Sequence, residues 1–429
     1  MTSNPRYDAA YVWFWLPGST EPAVAGRIAR DGDRLIFNYG RSYLSRPDRI
    51  ALYEPELPLG QGPIVPAGGL TMAGCLRDGA PDAWGRRVIL DHLLGARGGD
   101  ADVGMLDELT YLLESGSDRT GAIDFQRSAT NYVPRATQGA ALADLLEAAE
   151  RIERGIPLPP ELDRALLHAS SLGGARPKAM IEDGDRKLIA KFSSTGDTHD
   201  VVKAEFVAMR LASLVGLDAA PVRLARAAGK DVLLVERFDR TRVAAGWQRR
   251  AMVSALTLFG LDEMMARYAS YEDLAEIVRL RFTGPRDTLR ELFGRMAFNV
   301  LCGNTDDHAR NHAAFWDGRH LTLTPAYDIC PQRRSGNEAS QAMLIAGGNR
   351  ASRLATCIAA APQFQLTADA AERLIADQIV RLRTSWPGVV AEAGLSQVER
   401  SLLAGRVFLN PFIFEGAPPR LQAMQGPLG

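Results

Sequence analysis

Two short stretches of the chain carry residue types that could do group-transfer chemistry together. Residues 303–311 read GNTDDHARN and residues 325–330 read PAYDIC. Asp306 offers a carboxylate, Asn311 follows it with an amide, and Asp328 adds a second carboxylate farther on. The segment between them reads as two short strands, 312–316 and 320–324, turning at Asp317 and Gly318. Such a hairpin would bring Asp328 back beside the loop. A carboxylate beside an attacking hydroxyl, with an amide and a carboxylate as hard oxygen donors for Mg²⁺, is what phosphoryl transfer needs. A loop Asp, an Asn five residues on, a hairpin and a second Asp is the layout protein kinases use. Any one of these aspartates could instead cap a helix or form an Asx-turn. The ordered set points to ATP and Mg²⁺, with Asp306 accepting the hydroxyl proton and Asn311 and Asp328 holding the metal.

Upstream segments supply the other parts such a site requires. Residues 170–178 read SSLGGARPK and lie between a helix and a strand. Gly173 and Gly174 let backbone N–H groups turn toward phosphates, although on their own an ordinary turn is the better explanation of them. Lys191 ends the apolar strand LIAKF, where an inward ammonium would reach phosphate oxygens, and Glu205 on the next helix is its candidate ion-pair partner. Exposed charges are the plainer reading of both. Residues 233–240 read LLVERFDR, and the strand end at Glu236, Arg237 and Phe238 could offer backbone groups to adenine or serve only as a linker.

The positioning elements follow from periodicity. Strands are expected at 11–16, 24–28 and 34–39, and helices at 82–94 and 105–113. The polar run 128–139 ends this region. A helix at 140–151 precedes strands at 178–181 and 187–192, a helix at 201–215 with Phe206, Met209, Arg210, Ser213 and Leu214 near one face, and strands at 222–225 and 232–236. Helices are expected at 251–259, 271–281, 286–302, 368–383 and 396–408. The fold class is therefore α+β. It divides as an N-terminal α/β subdomain (1–135), a strand-rich lobe (136–240) and a mostly helical lobe (241–429).

Composition narrows the function classes. A chain of 429 residues is too long for one core. A net charge of -1 provides no overall basic field for nucleic acid. Cys75, Cys302, Cys330 and Cys357 are widely spaced and form no CxxC pair, which fits free thiols in a reducing compartment. No apolar run approaches the ~20 residues of a membrane span, and the first residues carry no signal-peptide core, so a cytoplasmic protein is expected.

Taken together, SLGGARPK, the Lys191 strand, VERFDR, NTDDHARN and the YD pair resemble the HipA family of bacterial toxin kinases. DGAPDAWGRR (78–87) resembles that family's N-terminal region. The resemblance implies a bilobal protein-kinase-like fold and Ser/Thr kinase activity with ATP and Mg²⁺. By matching positions it makes Asp306 catalytic. It places Gly173, Gly174, Ala175, Arg176 and Lys178 in a phosphate loop and Lys191 on phosphates. Glu236, Arg237 and Phe238 face adenine, and His308, Asn311, Tyr327 and Asp328 line the nucleotide and metal site. Ser171 matches a serine autophosphorylated in the family, where added negative charge beside ATP would expel the loop. The family pairs with a helix-turn-helix antitoxin (HipB-like), contacts operator DNA mainly through it, and includes members that phosphorylate aminoacyl-tRNA synthetases. The chain departs from the family at Asp307, where glycine is common, and an extra carboxylate beside the base would bear on metal affinity or substrate choice. Arg333, Arg334, Arg350 and Arg353 lie where kinases carry an activation segment.

Three other readings stand beside this one. A small-molecule phosphotransferase would use the same Asp/Asn/Asp chemistry. A catalytically silent co-regulator would bind nucleotide without transferring phosphate. A metal hydrolase built on His308 and His312 lacks the glutamate of an HExxH motif.

Overall fold

The computed structural model describes residues 7–95, 102–136, 140–169, 176–197, 199–334, 336 and 338–428. The chain forms two compact units. The first comprises 1–197, 225–253 and 315–319, and the second 198–224, 254–314 and 320–429.

In the first unit, strands β1 (Ala9–Phe14), β2 (Ala23–Asp31), β3 (Arg34–Tyr39) and β4 (Ile123–Gln126) form an antiparallel sheet in the order β3-β2-β1-β4. Strand β4 was not expected, because Asp124 and Gln126 break its apolar pattern. Both are nevertheless buried, since Arg119 and Arg135 neutralise Asp124. Helix α1 (Ala83–Leu94) starts where Asp82 accepts a hydrogen bond from the Gly85 amide at 3.1 Å and stops at Gly95. Helix α2 (Glu108–Glu114) starts later than expected, because Asp107 caps it through the Thr110 amide. Helices α3 (Leu142–Glu153) and α4 (Pro160–Ala169) precede a second sheet. That sheet joins β5 (Lys178–Asp183), β6 (Arg186–Lys191), β7 (Val222–Ala227) and β8 (Lys230–Glu236) in the order β5-β6-β8-β7. One core runs through this unit: Trp84, Val88 and Ile89 of α1 pack with Leu145 and Leu146 of α3 and with Ala179, Leu188, Ala190, Val232 and Leu234 of the sheet. Strands β9 (Arg240–Val243) and β10 (Gly246–Arg249) pair beyond it.

The second unit is mostly helical: α5 (Val201–Leu214), α6 (Tyr271–Arg281), α7 (Pro285–Cys302) and α8 (Ala368–Glu392). The expected helix at 251–259 is instead a strand, β11 (Met252–Ser254), and a single turn at Ala255–Leu258. The amides of Trp316 and Ala255 are the reason, since they bond to Ala251 O and His312 O at 2.8 Å each and draw the segment into a ladder. On α5, Phe206 and Met209 are buried as expected, but Leu214 is 40% exposed and Arg210 turns out to an ion pair with Glu392. Helix α8 runs through Pro387, past its expected end, because Trp386, Val389 and Val390 are buried on its far side. The last expected helix stops early, spanning only Gln397–Leu403 behind a Ser396/Glu399 capping box. Strands β12 (Ala313–Trp316) and β13 (Leu321–Leu323) adjoin in a three-stranded sheet and form the expected hairpin. Among the described residues, no helix is long and apolar enough to cross a membrane. All four cysteines are free.

Candidate active site

Helix α7 delivers the chain to the loop. It ends at Gly303 (φ +72), in the left-handed region, where a Cβ would meet Val407 O at 2.8 Å. The loop is then held from several sides. Asn304 N bonds to Asn299 O at 2.9 Å, Gln332 N to Gly303 O at 3.0 Å and Ala342 N to Thr305 O at 3.0 Å. The segment after β13 is held as firmly. Ala326 N donates to Asp218 O at 2.7 Å, and Ala220 N donates to Ala326 O at 2.9 Å. The Tyr327 hydroxyl donates to Arg310 O at 2.7 Å, tying the 303–311 and 325–330 stretches together.

These constraints bring the three expected side chains into one neighbourhood. The Asn311 carboxamide donates to Asp306 O at 3.4 Å, which leaves its oxygen as the atom for a cation. Partial burial pushes the Asp306 carboxyl above the usual carboxylate range. His308 pulls it down, while the charges of Asp328 and Asp307 push it up. Asp306 and Asp328 are therefore near enough to feel each other. Asp328 itself sits at φ +58, a left-handed conformation that aspartate adopts far less readily than glycine, and such residues concentrate at functional sites.

Among the described residues, no group of three or more His, Cys, Asp or Glu side chains could hold a metal ion. One carboxylate and one carboxamide suit Mg²⁺, which keeps several waters and takes further oxygens from nucleotide phosphates. The donor set therefore fits a metal that arrives with a nucleotide.

Asp307, the extra carboxylate of the expectation, is turned into the core, from where its charge still raises the Asp306 carboxyl. It is buried, accepts a hydrogen bond from the Tyr271 hydroxyl and lies 3.0 Å from His312 Nε2. Tyr271 and His312 are buried with it and 3.2 Å apart. Alternation along the loop decides this: Asp306 reaches the surface while Asp307 points into the core. The same contacts remove the hydrolase reading, because His312 is committed to that network.

Other expected contacts are redistributed. Lys178 is buried with its ammonium 3.4 Å from Asp82, and its carbonyl accepts from Trp84 Nε1 at 3.1 Å. Its ammonium is thus engaged within the protein. Arg176 pairs with Asp197 at 2.8 Å. The side chain of Arg237 is engaged within the protein. Its amide donates to Lys187 O at 2.9 Å, and its buried guanidinium reaches Asp118 and Asp239. Glu236 and Phe238 are half-buried at the strand end, and the Phe238 ring lies 5.8 Å from that of Phe315. Lys191 ends β6, half-buried, and Glu205 is buried on α5. Ser171, Gly173, Gly174 and Ala175 lie outside the described residues. The acid–base network around Asp118 was not anticipated, although DRT (118–120) and RFDR (237–240) both carry the alternating charge that signalled it.

Comparisons with known proteins give the chain's family. The HipA-like C-terminal domain matches residues 170–386, and the HipA N-terminal domain matches residues 19–126. The chain belongs to the HipA family. Y4mE of Sinorhizobium fredii is 30% identical over 174 residues, covering 37% of this chain and 41% of that protein. The serine/threonine-protein kinase toxin HipA of Shewanella oneidensis is 24% identical over 183 residues, covering 37% and 42%. The chain thus spans well under half the length of the curated relatives it matches. A solved complex of Shewanella oneidensis HipA with HipB and operator DNA has the same fold, with a TM-score of 0.69 at 19% identity over 92% of this chain and 94% of that one. The HipA fold is kinase-like and α+β, as the sequence led us to expect.

Proposed function

We propose that this HipA-family chain is an ATP-dependent serine/threonine protein kinase. The observation that carries the reading is the joining of the 303–311 loop to the segment bearing Asp328, through the Tyr327 hydroxyl bonded to Arg310 O, with the Asn311 amide bonded back to Asp306 O. In the proposed step, Asp306 orients a substrate hydroxyl and accepts its proton. The hydroxyl oxygen bonds to the γ-phosphorus as the bond from that phosphorus to the β–γ bridging oxygen breaks, and ADP leaves. A carboxyl raised toward neutrality is a better proton acceptor than an ordinary one. Asn311 and Asp328 would hold Mg²⁺, which would neutralise charge on the phosphate oxygens. His308 and Tyr327 complete the wall. Lys191 holds phosphates, and Gly173, Gly174 and Ala175 are the proposed phosphate loop. Glu236 and Phe238 flank adenine, and only the Arg237 carbonyl remains as a candidate base contact from that residue.

By family analogy the protein is the toxin of a toxin–antitoxin pair, with a HipB-like helix-turn-helix partner through which operator DNA is bound, and acts in the cytoplasm. Its substrate class is a protein hydroxyl, with aminoacyl-tRNA synthetases the leading candidates, and phosphorylation of Ser171 switches it off. Purified protein with labelled ATP, Mg²⁺ and cell lysate tests the reading. Wild type labels a protein band that Asp306→Ala does not, and self-labelling disappears in Ser171→Ala. Equal labelling by wild type and Asp306→Ala would remove Asp306 from the chemistry.

A further inference from the structure

The first unit holds a cluster of buried charge that the proposed transfer step does not use. Asp118 lies 3.0 Å from Arg237 Nη1 and 2.8 Å from Arg240 Nη2, and Lys187 approaches it at 3.5 Å. Burial alone would push its carboxyl up, but Arg237, Arg240, Arg249 and Lys187 hold it well below the ordinary range. The backbone of the same segment takes part. Arg237 Nη2 donates to Arg119 O at 2.7 Å, Arg240 Nη1 donates to Gly121 O at 2.8 Å, and Arg249 Nη1 donates to Ser117 O at 2.9 Å. In return the Gly121 amide donates to Asp239 Oδ2 at 2.8 Å. A second tie lies at the other end of the same sheet, where Asp82 and Trp84 hold Lys178.

Arg237 and Asp239 are both pinned to 117–121, so Phe238 between them has no freedom to shift along the strand end. Guanidinium forks fix direction as well as distance, which a single point charge does not. Discrimination among purines at a strand end depends on where its backbone donors and acceptors sit relative to the base edge. We propose that residues 117–121 of the N-terminal region are a positioning element for the 236–238 segment, and that through it this region sets the nucleotide-base selectivity of the site. The inference rests on the assignment of 236–238 to the base in the proposed function. It gives the N-terminal region a task in nucleotide recognition.

The test is calorimetric titration of the full-length chain with Mg²⁺ and the non-hydrolysable analogues AMP-PNP and GMP-PNP, well below the melting temperature. Wild type binds AMP-PNP in preference to GMP-PNP. Asp118→Asn, which keeps shape and removes the charge, weakens AMP-PNP by about tenfold and GMP-PNP much less, in the range of positioning effects transmitted through packed networks. Competition by inorganic tripolyphosphate, which has no base, is unchanged. Arg249→Lys keeps the charge but loosens the bond to Ser117 O and the stack on the Trp15 ring, and gives the same narrowing in smaller measure, so a poorly folded Asp118→Asn does not end the test. A preference that stays within twofold of wild type in both variants, even with a lowered melting temperature, overturns the proposal and leaves the cluster a structural one. If wild type binds neither analogue, the kinase reading itself has failed. Tight wild-type binding with no purine preference overturns the positioning role alone.

Discussion

Replacing Tyr271 with Phe removes one oxygen from a buried network and tests how the 303–311 loop is held. The Tyr271 hydroxyl donates to Asp307 and lies 3.2 Å from His312 Nε2, while Asp307 lies 3.0 Å from that same nitrogen. Burial, then the Asp307 charge, pushes the phenol well above its ordinary pKa, so it stays protonated and remains a donor. A hydrogen bond to a charged group contributes about 1.5–3 kcal/mol. The Asn299 amide, 3.5 Å from the hydroxyl, adds little. The expected loss is about 2 kcal/mol, which for a unit of this size lowers Tm by about 4–8 °C. Asp307→Ala costs more, because it strands two buried polar partners. The double variant should fall short of additivity by about 1.5–3 kcal/mol. Asp307 follows Asp306 and His312 follows Asn311, so both loop ends loosen and kcat drops in the protein that remains folded. Scanning calorimetry and initial rates on the four proteins decide the matter. A Tyr271→Phe protein within about 0.5 kcal/mol of wild type, or an additive cycle, would refute the network as the loop's anchor.

Two further outcomes follow from the same site. The Asp306 carboxyl lies above the ordinary range, so its ionisation costs more in the folded chain than in the unfolded one. Its stabilising contribution is complete at low pH and lost as pH rises through the folded value. Asp306→Asn should therefore abolish transfer yet raise Tm at about pH 8 relative to wild type, with the difference vanishing below the ordinary value of 3.8; a Tm below wild type at the higher pH contradicts this. Gly303→Ala places a methyl group against Val407 O in a left-handed residue. It should cost about 1–2 kcal/mol from conformation alone, with more from the clash, read by urea denaturation. An unchanged midpoint would show that α7 can end there without glycine.

Much of the site was legible because local chemistry sets it. Asp82 before an apolar stripe starts α1, and the Asp317–Gly318 turn folds β12 onto β13 and carries Asp328 back toward Asp306. Short spacings and turn residues act over a few bonds, so order along the chain predicts them. The use of each charge was not legible in that way. Asp307, Lys178 and Arg237 have the same side chains as residues that bind ligands, yet each is consumed by a partner far away in the chain: Tyr271, Asp82 and Asp118. Sequence determined the residues available and the loop that presents Asp306 and Asn311. Tertiary structure alone decided which charges face solvent and which are buried against a countercharge. Desolvation depends on everything packed around a group, and neighbouring residues in the sequence are only a small part of that.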